Sequence, residues 1–154
     1  MKLNAREDIE VPIAQAWAII TDYEAFERAA MRRGAEVQRT GTPGAPAWAT
    51  SFQFRGKKRV LAIRQTRTEP PNVLGFEGEG RNVQGWVTIE LLELGPRRTR
   101  MVVSTEVRPV TLAARLFLQS LKLARSRVTK RYQTRIAQLA TMIEARARGQ
   151  KAGF

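Results

Sequence analysis

The sequence predicts an α+β fold, in which an antiparallel sheet of seven strands packs against a long C-terminal helix. Three patterns predict it: an alternating run followed by two short helical stretches, six further alternating runs, and a helical period through the last third of the chain. The chain has 154 residues, 43% of them hydrophobic, which is enough for one domain with a substantial core. We therefore expect a single domain over residues 1–154, with a disordered tail at 149–154.

The first strand and the two helices occupy the opening of the chain. Residues 3–11 alternate, and Glu7 is the one charged residue on the apolar parity. Pro12 ends this run. Helical spacing then continues over residues 13–33, and Asp22 is a suitable N-cap for a second helix. We expect two short helices with a break near Asp22.

Six short alternating runs separated by turn residues are typical of an antiparallel meander. They cover approximately residues 35–39, 47–54, 59–68, 73–79, 85–94 and 99–108. One parity is apolar and the other polar, so one face of the sheet should be buried. Between Gly75 and Gly80 glycines alternate with Glu77 and Glu79, which predicts a bulge or a strongly bent strand.

The last third, residues 110–148, predicts one long basic helix with Thr111 as N-cap and Gly149 after its end. Unbroken, it would reach about 57 Å, longer than a small domain is wide, so we expect a bend or frayed ends. Its main apolar side includes Leu121, Val128 and Tyr132. This side should lie on the sheet.

A second apolar side opposes the first over the opening turns of this helix. It comprises Leu112, Leu116 and Leu123, with Arg115 and Lys122 beside them. A helix that is apolar on all sides is buried, oligomeric or in contact with a membrane. Two interpretations remain open: a contact surface for an anionic membrane or a second subunit, or packing beneath a neighbouring loop.

Composition limits the chemistry that the chain can perform. It contains no cysteine and no histidine, which excludes disulfides, thiolate metal sites and Ser-His-Asp triads. We expect no metal and no cofactor. No stretch has the length and apolarity of a signal peptide or a membrane span, so we expect a cytoplasmic protein, either free or peripheral to a membrane.

The net charge of +13 is concentrated near the C-terminus, where residues 111–154 hold ten Lys or Arg against Glu144 alone. Such asymmetry indicates an anionic partner, although a solvated helix face explains it equally well. The basic turns Arg55–Lys58 and Arg97–Arg100 should lie at opposite ends of a meander, which argues against a single stripe of phosphate contacts. Nucleic-acid binding is therefore a second alternative only.

Two segments resemble a known superfamily. Ile9-Glu10-Val11-Pro12, leading into the Trp17 helix and Asp22, resembles the opening of START-like (SRPBCC) proteins, and residues 112–144 resemble their closing helix. The superfamily includes polyketide cyclases/dehydrases, coenzyme Q-binding proteins, lipid-transfer domains and plant pathogenesis-related allergens. One departure is Glu24–Arg28, where a Pro-x-Trp-type segment often stands. The resemblance implies a helix-grip fold, in which a curved sheet wraps around the C-terminal helix and leaves an apolar cavity.

On this resemblance we expect the cavity to bind an apolar or amphipathic small molecule, such as a lipid, an isoprenoid or a polyketide-like compound. For any single aromatic residue an ordinary core position is the favoured interpretation, and only the resemblance favours the cavity for the set as a whole. The expected lining residues are Trp48, Phe52, Phe54, Leu61, Ile63, Phe76, Ile89, Val103, Thr105, Phe117, Leu121, Val128 and Tyr132. Glu7, Gln65, Thr105 and Tyr132 would be its polar anchors.

An alternative is a cyclase/dehydratase-type enzyme that uses the same cavity. Its acid or base would be Glu7, Glu79 or Tyr132, since no histidine is present. Glu77 and Glu79 share a strand face, and exposure of that face to solvent is the favoured interpretation. A buried, unpaired carboxylate in the cavity would favour the enzyme, and a purely apolar cavity would favour the carrier.

Overall fold

The computed structural model describes residues 1–149 and confirms the predicted order of elements. These are β1 (Lys2–Ile9), α1 (Ile13–Ile20), α2 (Tyr23–Arg32), β2 (Glu36–Thr42), β3 (Ala45–Phe54), β4 (Lys57–Glu69), β5 (Val73–Gly80), β6 (Val83–Gly95), β7 (Arg98–Pro109), α3 (Leu112–Leu123) and α4 (Arg125–Ala147). The strands run a few residues beyond most of the predicted limits. Of the expected tail, residues 150–154 lie outside the described residues.

The seven strands form one antiparallel sheet in the order β1-β7-β6-β5-β4-β3-β2. The bulge predicted in the glycine-rich strand lies instead in its neighbour β4, where the register shifts between Gln65 and Arg67. Gly75 lies opposite this shift, and a Cβ there would come within 3.1 Å of the Arg67 Cβ and 3.2 Å of the Thr66 hydroxyl. A larger residue at position 75 would have to push the bulged strand back by a few tenths of an ångström, so the close approach favours glycine there.

One face of the curved sheet, which we call the concave face, packs against α1 and α4. Register pairs on this face include Trp48 with Ile63 and Ile89 with Val103, as the sequence parity predicts. The main core joins this face to the helices. Its fully or almost fully buried members include Ile9, Val11, Ile20, Leu74, Leu91, Met101, Val103, Ala140 and Ile143.

Successive turns alternate between the two ends of an antiparallel sheet. The turns at 43–44, 70–72 and 96–97 lie at the end that carries α1, which we call the core end. The turns at 55–56 and 81–82 lie at the other end together with the start of α3, which we call the α3 end. The two basic turns are thus at opposite ends of the sheet, as predicted.

The helix predicted over residues 110–148 is present as two segments, α3 and α4, and the expected bend lies between them. The chain leaves helical geometry at Ala124, where φ is −109° and ψ is 31°. Thr111 caps α3 by accepting a hydrogen bond from the Ala114 amide at 3.2 Å, and Gly149 follows α4 with φ of +77°. On either side of the break the helices contact different elements, since α3 packs against β7 whereas α4 packs along β1 and against α1.

A network of hydrogen bonds joins α2 to the far edge of the sheet. The Glu27 carboxylate accepts from Arg39 Nε at 2.6 Å and Nη2 at 3.0 Å, and from Trp48 Nε1 at 2.7 Å. The hydrogen bond from Arg39 lowers the pKa of Glu27 below its ordinary value of 4.5, against the opposing effect of burial. Since Arg39 is on β2 and Trp48 on β3, Glu27 fixes the position of α2 over both strands.

We predict that Thr99→Val destabilises the fold by about 1 to 3 kcal/mol. Thr99 is fully buried, and its hydroxyl donates to the Val11 carbonyl at 2.7 Å. Valine keeps the shape of the side chain but removes this hydrogen bond. Urea denaturation measures the effect. The control is Thr134→Val, whose exposed hydroxyl bonds the Lys130 carbonyl, and it should stay within about 0.5 kcal/mol of the unaltered protein.

A second prediction concerns pH. Because the pKa of Glu27 is lowered in the folded state, its stabilisation is fully present above pH 4.5 and is lost as the pH falls through the folded pKa. Glu27→Gln should cost about 1 kcal/mol at pH 7, and this difference should shrink steadily in acid. Denaturation measured between neutral and acidic pH tests it, with Glu24→Gln in the exposed Glu24–Arg28 pair as control. A difference that is the same at every pH would contradict the prediction.

Candidate functional site

The middle strands carry an apolar surface that the helices leave partly open. On the concave face of β4, β5 and β6, Leu61, Ile63, Phe76, Val87 and Ile89 are only half-buried. In a closed core, residues at the centre of a seven-stranded sheet would be fully buried. We call this concave surface between β3 and β6, bounded by α3, the groove.

The predicted lining residues all lie on the expected side of the sheet. Strand pairing puts Trp48, Phe52, Phe54, Leu61, Ile63, Phe76, Ile89, Val103 and Thr105 on the concave face. Their environments differ. Trp48 and Val103 are buried, Phe54 is 47% exposed beside the turn at 55–56, and the remaining six are half-buried. Phe117, Leu121, Val128 and Tyr132 are half-buried on α3 and α4.

Two glycines form the floor of the groove. Gly78 of β5 and Gly85 of β6 are direct partners across the ladder and share the concave face. The atoms nearest to a Cβ at Gly78 would be those of the Leu61 side chain, at an ordinary contact distance of 3.5 Å. The middle of the concave face therefore lacks side chains that would fill it, and the glycine pattern that predicted a bend also creates space.

A cluster of three aromatic rings forms the wall towards α2. The ring centroids of Tyr23 and Trp48 are 5.1 Å apart, and Phe76 lies 6.0 Å from Trp48 and 6.1 Å from Tyr23. The Tyr23 hydroxyl donates to Gln65 Oε1 at 2.5 Å. Burial raises the pKa of Tyr23, so its hydroxyl stays protonated at neutral pH. Gln65, predicted as a polar anchor, thus holds Tyr23.

Tyr132 connects α4 to the sheet. Its hydroxyl lies 2.9 Å from Thr105 Oγ1 and donates to the Val103 carbonyl at 3.2 Å. Burial raises the pKa of Tyr132, although the hydrogen bond with Thr105 opposes the shift. The predicted anchors Thr105 and Tyr132 are therefore brought together, and their hydroxyl groups form a hydrogen bond with each other.

Arg59 is a concave-face cation that was not among the predicted site residues. It pairs with Phe52 in the ladder and shares the parity of Leu61 and Ile63. Its Nε is buried and has no hydrogen-bond partner in the part of the chain that the structure describes. A buried donor without a partner is costly, so this atom is suited to an acceptor from outside the protein. Its parity was the signal that could have identified it.

Arg55 joins the turn between β3 and β4 to helix α3. Its guanidinium lies 4.6 Å from the centroid of the Phe117 ring and 5.7 Å from that of Phe54. Arg55 has a φ of +52°, a left-handed conformation that costs free energy in a residue other than glycine. This contact bounds the groove at the α3 end.

The three candidate carboxylates have different surroundings. Glu7 is half-buried on the concave face of β1, the strand along which α4 lies. Glu77 and Glu79 are on the opposite, convex face, where buried Glu77 accepts from Arg64 at 2.5 Å and from Gln84 at 2.7 Å. Glu79 is exposed and does not face the groove, so its solvent interpretation is the one that agrees with the structure.

Two further properties concern residues 1–149. No helix in this range is both long and apolar enough to cross a membrane. Within the same range, no acidic residues gather into a group of three that could hold a metal ion.

Comparison with solved structures identifies the fold. The chain aligns with TTHA0849 from Thermus thermophilus at a TM-score of 0.68 and 18% identity, covering 99% of this chain and 100% of the other. It aligns with the Zhui aromatase/cyclase from Streptomyces sp. R1128 at a TM-score of 0.69 and 13% identity, covering 99% and 98%. A START superfamily protein from Mycobacterium smegmatis aligns at 0.57 and 16%, covering 90% and 98%. The predicted α+β helix-grip fold is therefore confirmed.

No curated protein matches the chain by sequence. A family model does match, over residues 1–144 and thus almost the full length. The expected START-like resemblance is confirmed, and a general ligand-binding role is supported. The chain belongs to the polyketide cyclase / dehydrase and lipid transport family.

Proposed function

We propose that the protein binds an amphipathic small molecule in the groove, as a carrier or binding module. The observation that carries the proposal is an apolar concave face that stays half-exposed at its centre and has glycines at Gly78 and Gly85 for its floor. A concave, mostly apolar surface with a few polar groups is the usual form of a small-molecule site. A lipid, an isoprenoid or a polyketide-like compound has the required apolar body.

Arg59 supports an acidic group on this ligand. Its Nε is buried without a partner among residues 1–149, and no ion pair to its guanidinium is found there. A carboxylate or phosphate would supply the missing acceptor through a charge-assisted hydrogen bond. The ligand would then bury its apolar body against Leu61, Ile63 and Phe76, with its acidic group towards the α3 end.

Entry at the α3 end follows from this orientation. The turn at 55–56 and α3 meet there through the contact of Arg55 with Phe117. Only side-chain contacts would need to separate for the ligand to enter, because no strand pairing crosses this boundary. Burial of apolar surface, worth about 25 cal/mol per Å², would drive binding.

The cyclase/dehydratase alternative needs an acid or base that faces the groove. Glu7 lies on the strand that α4 covers, Glu79 is exposed on the convex face, and the Tyr132 hydroxyl already bonds Thr105 and the Val103 carbonyl. None of the three favours the enzyme.

The nucleic-acid alternative needs a continuous stripe of cations along the phosphates. The two basic turns lie at opposite ends of the sheet and do not form such a stripe.

We predict that Gly78→Leu weakens binding of cis-parinaric acid, a fluorescent fatty acid, by about tenfold or more, because leucine would occupy the groove floor. The fold should persist, since the position has strand geometry and the nearest contacts of a Cβ there are ordinary ones with Leu61. Titration by fluorescence measures the affinity. Ala62→Leu, on the exposed convex side of β4, should bind as the unaltered protein does. Equal affinity of Gly78→Leu, or no binding by the unaltered protein, would contradict the proposal.

A separate prediction concerns the acidic group. Arg59→Met keeps the apolar stem and removes the charge, so it should weaken cis-parinaric acid binding about tenfold and leave binding of its neutral methyl ester nearly unchanged. The matched control is Lys58→Met, which makes the same charge change on the adjacent residue, whose side chain is exposed. If both variants weaken binding of cis-parinaric acid equally, the acid is attracted by the overall positive charge of the protein and not by Arg59 in particular. Mass spectrometry of small molecules released from the purified protein would identify the natural ligand.

A further inference from the structure

Helix α3 carries an exposed apolar ridge. Leu112, Leu116 and Leu123 are 69%, 57% and 91% exposed, and at 100° per residue they lie within about 40° of one another around the helix. The opposite side of α3 holds Ala114 and Leu118, which are buried. The ridge is therefore not part of the core, and within residues 1–149 nothing covers it.

The cations around this ridge lack acidic partners. Residues 107–143 contain no Asp or Glu, and Arg115, Lys122, Arg125 and Arg127 form no ion pair with any described residue. Strand arginines behave differently, since Arg39 and Arg64, for example, each pair with a glutamate. Unpaired positive charge is thus concentrated beside the exposed leucines.

The same end of the molecule adds further groups of both kinds. Phe54 is 47% exposed in the hairpin whose Arg55 contacts Phe117 of α3. At the junction of α3 and α4, Lys2, Lys122 and Arg125 line a small surface pocket of about 30 Å³. Exposed apolar groups and cations are therefore both present at this end of the molecule.

We propose that the α3 end docks on an anionic lipid bilayer, with the leucine ridge below the head groups and the surrounding cations at the lipid phosphates. A bilayer satisfies both chemistries at once, because its interior accepts the leucines and its acidic head groups attract Lys and Arg. Nucleic acid would bind the cations through its phosphates, but it would place the exposed leucines against the same charged phosphates. A second copy of the chain would bring the same unpaired cations together in a protein with a net charge of +13.

Docking in this orientation deepens the proposed function and rests on it in one respect. The entry proposed for the groove lies at the end that would meet the membrane, so an amphipathic ligand could pass between bilayer and groove without crossing water once the contact of Arg55 with Phe117 separates. Binding to the bilayer itself depends only on α3 and its neighbours. The two proposals can therefore fail separately.

Vesicle flotation with the full chain tests the docking surface. We expect binding to phosphatidylcholine vesicles that contain about 30% phosphatidylglycerol and much weaker binding to pure phosphatidylcholine. Raising the salt from about 0.05 M to about 0.5 M should weaken binding strongly, because screening acts on exposed cations. Equal binding to both vesicle types, or none to either, would overturn the proposal.

Variants separate the apolar from the charged contribution. Leu116→Ser with Leu123→Ser should weaken binding to the anionic vesicles about 100-fold at low salt, and Arg115→Gln with Lys122→Gln should weaken it about tenfold. The control is Leu92→Ser with Leu94→Ser, two β6 leucines that are 47% and 44% exposed and lie towards the core end. Thermal denaturation should be unchanged in the α3 variants, since the altered residues are exposed.

Membrane docking would be contradicted if the double leucine variant binds the vesicles as well as the unaltered protein does, or if the Leu92 and Leu94 control loses as much binding. It would also be contradicted if the protein does not bind vesicles and instead forms a dimer in sedimentation that depends on the α3 leucines. Cis-parinaric acid binding should be retained in the α3 leucine variants. If that binding is absent in the unaltered protein but vesicle binding is present, the proposed function fails and the docking surface stands.

Discussion

The packing of α4 on β1 and the core end of the sheet is the constraint on which the rest of the structure depends. Ile143 is fully buried and Ala140 nearly so, in one cluster with Ile9, Leu91 and Met101. A helix held in this position cannot also cover the middle strands. The groove is therefore a direct result of where the strongest apolar contacts are made, and the missing side chains at Gly78 and Gly85 extend it.

The cations of the strands and those of the C-terminal helices differ in whether they have acidic partners. On the strands, Arg64 and Glu77 form an ion pair, as do Arg100 and Asp8. On α3 and the first part of α4 the cations have no such partners among the described residues. Exposed ion pairs contribute little stability. Their effect on the strands is to balance part of the positive charge, whereas the helical side retains a strong positive field.

Sequence periodicity predicted the features that depend on local geometry. Alternation identified the concave face, including Trp48 and Phe76, because a strand has only two faces. Contacts distant in sequence could not be found in this way: the bonds from Arg39 and Trp48 to Glu27 depend on how α2 crosses the sheet. The length of the helix predicted a bend, but the position of the bend at Ala124 could not be predicted, because alanine favours helix and no local signal marks this residue.

The break at Ala124 also divides the C-terminal region into two units of unequal cooperativity. The second unit, α4, shares the core and should unfold only with the whole protein, whereas α3 buries little beyond Ala114 and Leu118. Local opening is cheapest where few apolar groups are buried. The segment that borders the groove can thus detach and return while the sheet stays intact, and its outer residues can change without cost to folding.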